Sequence, residues 1–270
     1  MSKIELSSDR KKYLRKVNLK RFSIFLTQII ILFVFVIAWE MLARCEIIDS
    51  FITSQPSRIL ETFMNLSSND LVHHLCVTLF ETIVGFFLGT LFGIFIAIIL
   101  WLSPFLSKVF EPFLVVLNSL PKVALGPIII IWVGAGTQSI IVMAIAISLI
   151  VTILENLNGF VHTDTDKIKM AYAFKANKFQ ILTKIVIPAN IPTFINSLKI
   201  NIGLSLVGVI SGEFLVSKAG LGYLIVYGGQ VFQLDLVMTS VILLGIMAAI
   251  MYEIIVILEK MVLKNHKRII

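Results

Sequence analysis

From Thr82 to Leu102 the chain carries no charged side chain. A helix of that length crosses a hydrocarbon core of about 30 Å, and its apolar surface has no reason to stay in water. The pattern recurs along the chain. Hydrophobic residues make up 58% of the 270 residues and charged ones 14%, and mean hydropathy is +0.97. A water-soluble domain has roughly one quarter charged residues, so the chain reads as an all-α, polytopic membrane protein. The net charge of +7 does not point to nucleic acid, because the basic residues follow topology instead of forming one patch.

Six transmembrane helices are expected, at about 22–42, 82–102, 122–135, 139–154, 193–212 and 236–258, forming a single transmembrane domain over 22–258. The basic segment 1–21 and the basic tail 259–270, with Lys260, Lys264, Lys267 and Arg268, place both termini in the cytosol under the positive-inside rule. No small-x-small cleavage site follows the first span, which is expected to stay uncleaved. From Arg44 to Glu81 acids outnumber bases, so that segment belongs outside, as does the loop around Glu213 to Asp235. Ser103–Pro121 is expected as a short inside segment, with an amphipathic piece at 113–120 at the interface or within the bundle. Gly85, Gly89 and Gly93 fall at every fourth residue, a smooth ridge for close helix packing.

One long segment departs from this apolar character. Thr163–Pro192 carries five lysines and lies between two hydrophobic segments. Read as helix, Ile168, Ala171, Tyr172, Ala176, Phe179 and Leu182 form one apolar stripe beside a lysine-rich face. Asn177 followed by Gln180 is a capping pair, which splits the stretch into two short helices with a bend near Lys175–Asn177. Pro188 and Pro192 mark the return into the bilayer. Such a segment either lies on anionic lipid or docks a cytosolic partner.

Pro121 and Pro127 each remove a backbone donor near the start of the third span, a plausible wall of a translocation path or a simple kink. Gly220 and Gly222 permit a tight turn beyond the fifth span, with Tyr223 at headgroup level. Lys199 and Glu253 lie inside spans and are expected to snorkel or to pair with each other; Glu40 and Glu213 are expected at the outer interface. The sequence has no phosphate-binding G-x-x-x-x-G-K-S/T loop, no H-E-x-x-H and no cysteine pair with ligand spacing. No catalytic or metal-binding residue is therefore assigned. His73 and His74 read as surface residues, and a disulfide between Cys45 and Cys76 stays open.

Several motifs carry a family resemblance. KMAYAFKANKFQILTKIVIP resembles the cytoplasmic loop of ABC importer permeases, with Ala171 at the second Ala of its EAA motif and Ile185, Ile187 and Pro188 at its apolar end. Lys169 stands where the family has Glu, Met170 where it has the first Ala, and Lys175 where it has Gly. Gln55–Leu60, the block from Leu120 to Gly136 including Lys122 and Trp132, Gly212–Phe214, and Ala219–Ile225 are similar, in order, to segments of nitrate, taurine and aliphatic sulfonate permeases.

This resemblance implies a type I ABC importer permease in a prokaryotic cell membrane, working as a homodimer. Its expected partners are cytosolic ATPase subunits, which hold ATP and Mg, and an extracytoplasmic solute-binding protein; this chain itself needs no cofactor. Lys169, Ala171, Lys175, Ala176, Asn177, Phe179, Gln180 and Pro188 would form the ATPase-coupling loop. Pro121, Lys122, Pro127, Trp132 and Lys199 are candidates for the translocation path, and Gly220, Gly222 and Tyr223 for a loop facing the binding protein. A cationic lumen around Lys122 and Lys199 would suit a small, sulfonate- or nitrate-like anion. The alternative is an ion-coupled secondary transporter or channel acting without an ATPase, which predicts acids at the midplane and an inverted repeat.

Overall fold

The computed structural model describes residues 8–67 and 70–266. Residues 1–7 of the basic N-terminal segment and 267–270 of the tail, with Lys267 and Arg268, lie outside the described residues. Every regular element among the described residues is a helix. The chain divides into two compact units, Met1–Met64 and Asn65–Ile270.

In the first unit α1 (Ser8–Arg44) contains an apolar span, Phe22–Arg44, followed by the single turn α2 (Ser50–Thr53) and by most of α3 (Pro56–Ser67). Glu40 ties the beginning of α3 to α1. Its carboxylate accepts from the Ser57 amide at 3.0 Å, the Ser57 hydroxyl at 3.0 Å and the Arg44 guanidinium at 2.7 Å. Glu40, an acid expected at the outer interface, thus caps the N-terminus of α3.

The second unit continues with α4 (Leu71–Leu102), α5 (Pro104–Ser119), a 3₁₀ turn at Lys122–Leu125, α6 (Gly126–Val133), α7 (Thr137–Val161), α8 (Thr165–Ala173), α9 (Lys178–Ile181), a π turn at Leu182–Val186, α10 (Ile187–Ala189), α11 (Ile191–Val216), α12 (Leu221–Gln230) and α13 (Leu234–His266). Among the described residues, five helices are long and apolar enough to cross a membrane: Phe22–Arg44, Leu71–Leu102, Thr137–Val161, Ile191–Val216 and Leu234–Val262. The remaining expected span, 122–135, differs. It is the 3₁₀ turn plus α6, only eight residues of α-helix, and it joins α5 across a 91° bend to make one broken apolar pair. Pro121 supplies the physical reason: it lacks a donor and forces the preceding Leu120 to an extended ψ of 139°, so α5 stops before it.

The centre of this unit is α7, with α4 and α11 packed along it. Small residues set the approach. A Cβ placed on Gly85, Gly89 or Gly93 would collide with Ala144, Ser148 or Thr152, which occupy every fourth position of α7. From the other side, Gly208 rides on the Ala144 backbone and Gly212 on Ile140. In lipid there is little hydrophobic gain from joining helices, so close packing and interhelical hydrogen bonds hold them together. The hydrogen bonds run along the α7–α11 seam: Asn156 donates to Ser197 at 3.1 Å, and Asn201 donates to Thr152 at 2.5 Å and to Ser197 at 3.4 Å.

Candidate functional site

The stretch 163–192 builds two surfaces at one end of the bundle. Asp164 caps α8 by accepting from the Asp166 amide at 3.0 Å. The chain then turns at Lys175, whose φ of 58° lies in the left-handed region, and Asn177 opens α9. Asn177 and Gln180 make a full capping box, the Gln180 amide to Asn177 Oδ1 at 2.8 Å and the Asn177 amide to Gln180 Oε1 at 2.9 Å. The bend therefore falls where the sequence places it, and a lysine occupies the position that favours glycine.

The single stripe expected from the sequence splits into two faces. Ala171, Ile181, Leu182 and Val186 are buried with Ala97 and Leu100 of α4, Leu114 of α5 and Ile153, Leu157 and Phe160 of α7, and Ile168 and Ala176 pack against that cluster. Tyr172 and Phe179 face the other way, together with Met170 and Phe174; Phe174 is 80% exposed and Phe179 65%. Lys169 is exposed beside Asp166 at 3.4 Å, and Pro188 is half-buried at the start of α10. Lys178 reaches the last carbonyl of α4, its Nζ 3.4 Å from Leu102 O. The stretch is thus packed against three helices, α4, α5 and α7, while presenting aromatic side chains outward.

The path candidates lie on two parts of the chain, Pro121, Lys122, Pro127 and Trp132 at the break and on α6, and Lys199 on α11. Lys122 donates to the Asn118 carbonyl at 3.1 Å and to its amide oxygen at 3.4 Å, closing the end of α5. Pro127 sits in the first turn of α6, Pro121 in the break before it, and Trp132 is 79% exposed on α6. Lys199 pairs not with Glu253, which is exposed, but with Glu259 of α13, at 2.6 Å. The reason is reach: Glu259 lies where α13 passes the Lys199 side chain. Both proposed lumen cations are therefore engaged within the protomer. A cavity of about 1250 Å³ opens instead at the end carrying 163–192, lined by Trp101, Lys108, Glu111, Glu155, His162 and Asn196 among others.

The opposite end holds groups whose depth the sequence did not reveal. Glu213 and Glu81, expected at the outer interface and in the outside loop, are each 1% exposed. The Thr78 hydroxyl donates to Glu213 Oε1 at 2.6 Å, the Gly222 amide donates to Oε2 at 2.5 Å, and the Leu221 amide donates to Thr78 Oγ1 at 2.8 Å. Gly220, at φ 110°, and Gly222 leave the space this carboxyl fills, since a Cβ on either would strike it. Gly220 also donates to His74 Nδ1 at 3.0 Å, and Tyr223 stacks between His74 and Tyr227. Gly222 is buried, so the glycines form a carboxyl cradle as well as a turn.

Residues 89–266 match the family described as the inner membrane component of binding-protein-dependent transport systems. The chain belongs to this family. Among its relatives, the taurine transport system permease protein TauC of Escherichia coli is 24% identical over 78% of each chain. The formylaminopyrimidine transport permease protein ThiX of Halalkalibacterium halodurans is 26% identical over 69% of this chain and 74% of that one. In three dimensions the chain is similar to the inward-facing MetNI methionine ABC transporter, with a TM-score of 0.64 at 21% identity over 71% of this chain and 95% of the other. This binding-protein-dependent permease is therefore a multi-pass inner-membrane subunit of an importer, with the type I permease fold, and a transport component in place of an enzyme.

Proposed function

We propose that the chain forms, with a second copy, the translocation unit of an ABC importer and that two cytosolic ATPase subunits drive it through residues 163–192. The observation carrying this reading is the two-faced construction of that stretch. A rigid inner face transmits displacement to α4, α5 and α7, and exposed Tyr172, Phe174 and Phe179 suit a partner pocket. ATP and Mg belong on the partner, and this chain uses no cofactor of its own. Both termini then face the cytosol, and the loop around Gly220–Tyr223 faces an extracytoplasmic binding protein.

Phe179→Ala tests the coupling. The expected loss is about 2 kcal/mol of ATPase-subunit affinity, near thirtyfold, with the permease still inserted. Co-purification of the ATPase and uptake per inserted permease are the measurements; wild-type values of both would remove 163–192 from the coupling role. Orientation is tested separately. A cysteine replacing Lys218 should react with an impermeant reagent in intact cells, and one replacing Lys178 should not.

For cargo we propose a small polar solute delivered by the binding protein, with a sulfonate-like anion as the narrower reading, supported by the resemblance to the taurine permease. The engagement of Lys122 and Lys199 favours a binding protein, rather than a cationic lumen, as the selector. Competition of uptake by taurine but not by a formylaminopyrimidine would sustain the narrower reading, and the reverse would replace it.

A further inference from the structure

The coupling stretch and the path leave one feature unused: two buried carboxyls where α4, α7, α11 and α12 meet. We propose that Glu81 and Glu213 form a buried proton-binding site, and that the bound proton latches the start of α12 to α4 and α11. The site is defined by the geometry alone, and only its outward placement rests on the importer reading.

The two carboxyls have unequal surroundings. Glu213 faces donors: the Thr78 hydroxyl, the Gly222 amide and the Tyr223 amide in the first turn of the ten-residue α12. That set stabilises an anion at a helix N-terminus. Glu81 has the opposite environment. It is 1% exposed and neither oxygen receives a hydrogen bond, while Thr137 approaches from α7 and the Glu213 carboxyl faces it from α11.

Among the described residues, no lysine or arginine acts on either carboxyl. His74 lies beside Gly220, with Asp70 and His73 as its own titratable neighbours. No group of three or more metal-binding side chains is present among the described residues.

Two carboxylates in one buried site cannot both carry charge, and Glu213 has the donors. The proton therefore resides on a Glu81 oxygen, which becomes an O–H donor toward Glu213. That converts the unpartnered group into a satisfied one. The consequence is mechanical. Removing the proton sets two anions against each other, and the relief is movement of Glu213 away from its donors. Those donors hold Leu221, which is fully buried, and the Gly220–Tyr223 loop. The carboxyl pair is thus a latch on the end of the bundle remote from 163–192.

Three measurements on the full-length protein test this. Infrared spectra of the purified wild type at neutral pH should contain a protonated-carboxyl C=O band that Glu81→Gln abolishes; no such band in the wild type overturns the proposal. Thermal stability of the wild type should fall as pH rises from neutral, because the folded state holds a proton that the unfolded state has released. Glu81→Gln, which keeps the neutral shape, should flatten that dependence, and an unchanged slope in the variant sinks the idea. Replacing sodium and potassium by choline should leave wild-type stability unchanged; a loss on replacement would assign the site to a metal cation and overturn the proton.

The latch has its own readout, in a protein whose only thiol is Leu221→Cys. Its maleimide labelling rate should be divided by that of a protein retaining only the exposed Cys45, which removes the pH dependence of thiol chemistry. The ratio should climb by up to about tenfold per pH unit as the proton leaves. A flat ratio would show that the proton holds nothing shut. If Glu81→Gln fails to fold, the wild-type spectrum and labelling ratio still decide.

Discussion

The two ends of α11 handle buried charge in opposite ways. Toward the 163–192 end, Lys199 meets Glu259 at 2.6 Å, both side chains retain some exposure, and opposite charges neutralise each other. At the other end Glu213 is sealed against a second acid and is held by hydroxyl and backbone donors. The first arrangement is a partly exposed ion pair, where screening keeps its value small. The second is a polar site that excludes water, where each lost donor or acceptor is felt in full. A charge inside a span thus has two physical meanings in this one helix, a partly exposed clamp and a buried site.

Glu213→Ala should break the comparison most severely. It leaves the Thr78 hydroxyl and the Gly222 amide without their acceptor in a dry site and opens a cavity, for a loss of about 3 kcal/mol or more in unfolding free energy. Thermal melts in detergent should show it, and a near-neutral result would mean water reaches this end. Next in size is Gly208→Leu. Its side chain would be driven into the Ala144 backbone, costing on the order of 3 kcal/mol and separating α7 from α11. Crosslinking of cysteines placed across that seam reports the separation.

Lys199→Ala should cost only about 1 kcal/mol or less, and the double variant with Glu259→Ala should recover much of it. A loss as large as that of Glu213→Ala would mean the ion pair is also dry, and the contrast between the ends would collapse. Smallest is Lys175→Gly, which removes a left-handed lysine and should be stabilising or neutral, within about 1 kcal/mol, with coupling retained. Reduced uptake at normal expression would assign the lysine itself to the partner surface.

The sequence by itself determined the membrane-spanning character, the helical class, the Gly85–Gly93 ridge and the capped bend at Asn177. Each of these is written in near neighbours: an uncharged run, a four-residue period, or a side chain that bonds three residues away. It did not determine that Ala171 and Leu182 are buried while Tyr172 and Phe179 stay exposed, because that depends on which side of each short turn α4, α5 and α7 cover. It could not divide the region 104–133, since Pro121 announces a break without saying that both arms share one bent element. Tertiary structure alone decided the partners of the charges. Lys199 and Glu259 are sixty residues apart, and Thr78 and Glu213 are 135 apart in sequence. Whether an acid near a span end faces water or another acid depends on which helix packs over it. For Glu81 and Glu213, that cover comes from α12 and from two glycines small enough to let a carboxyl in.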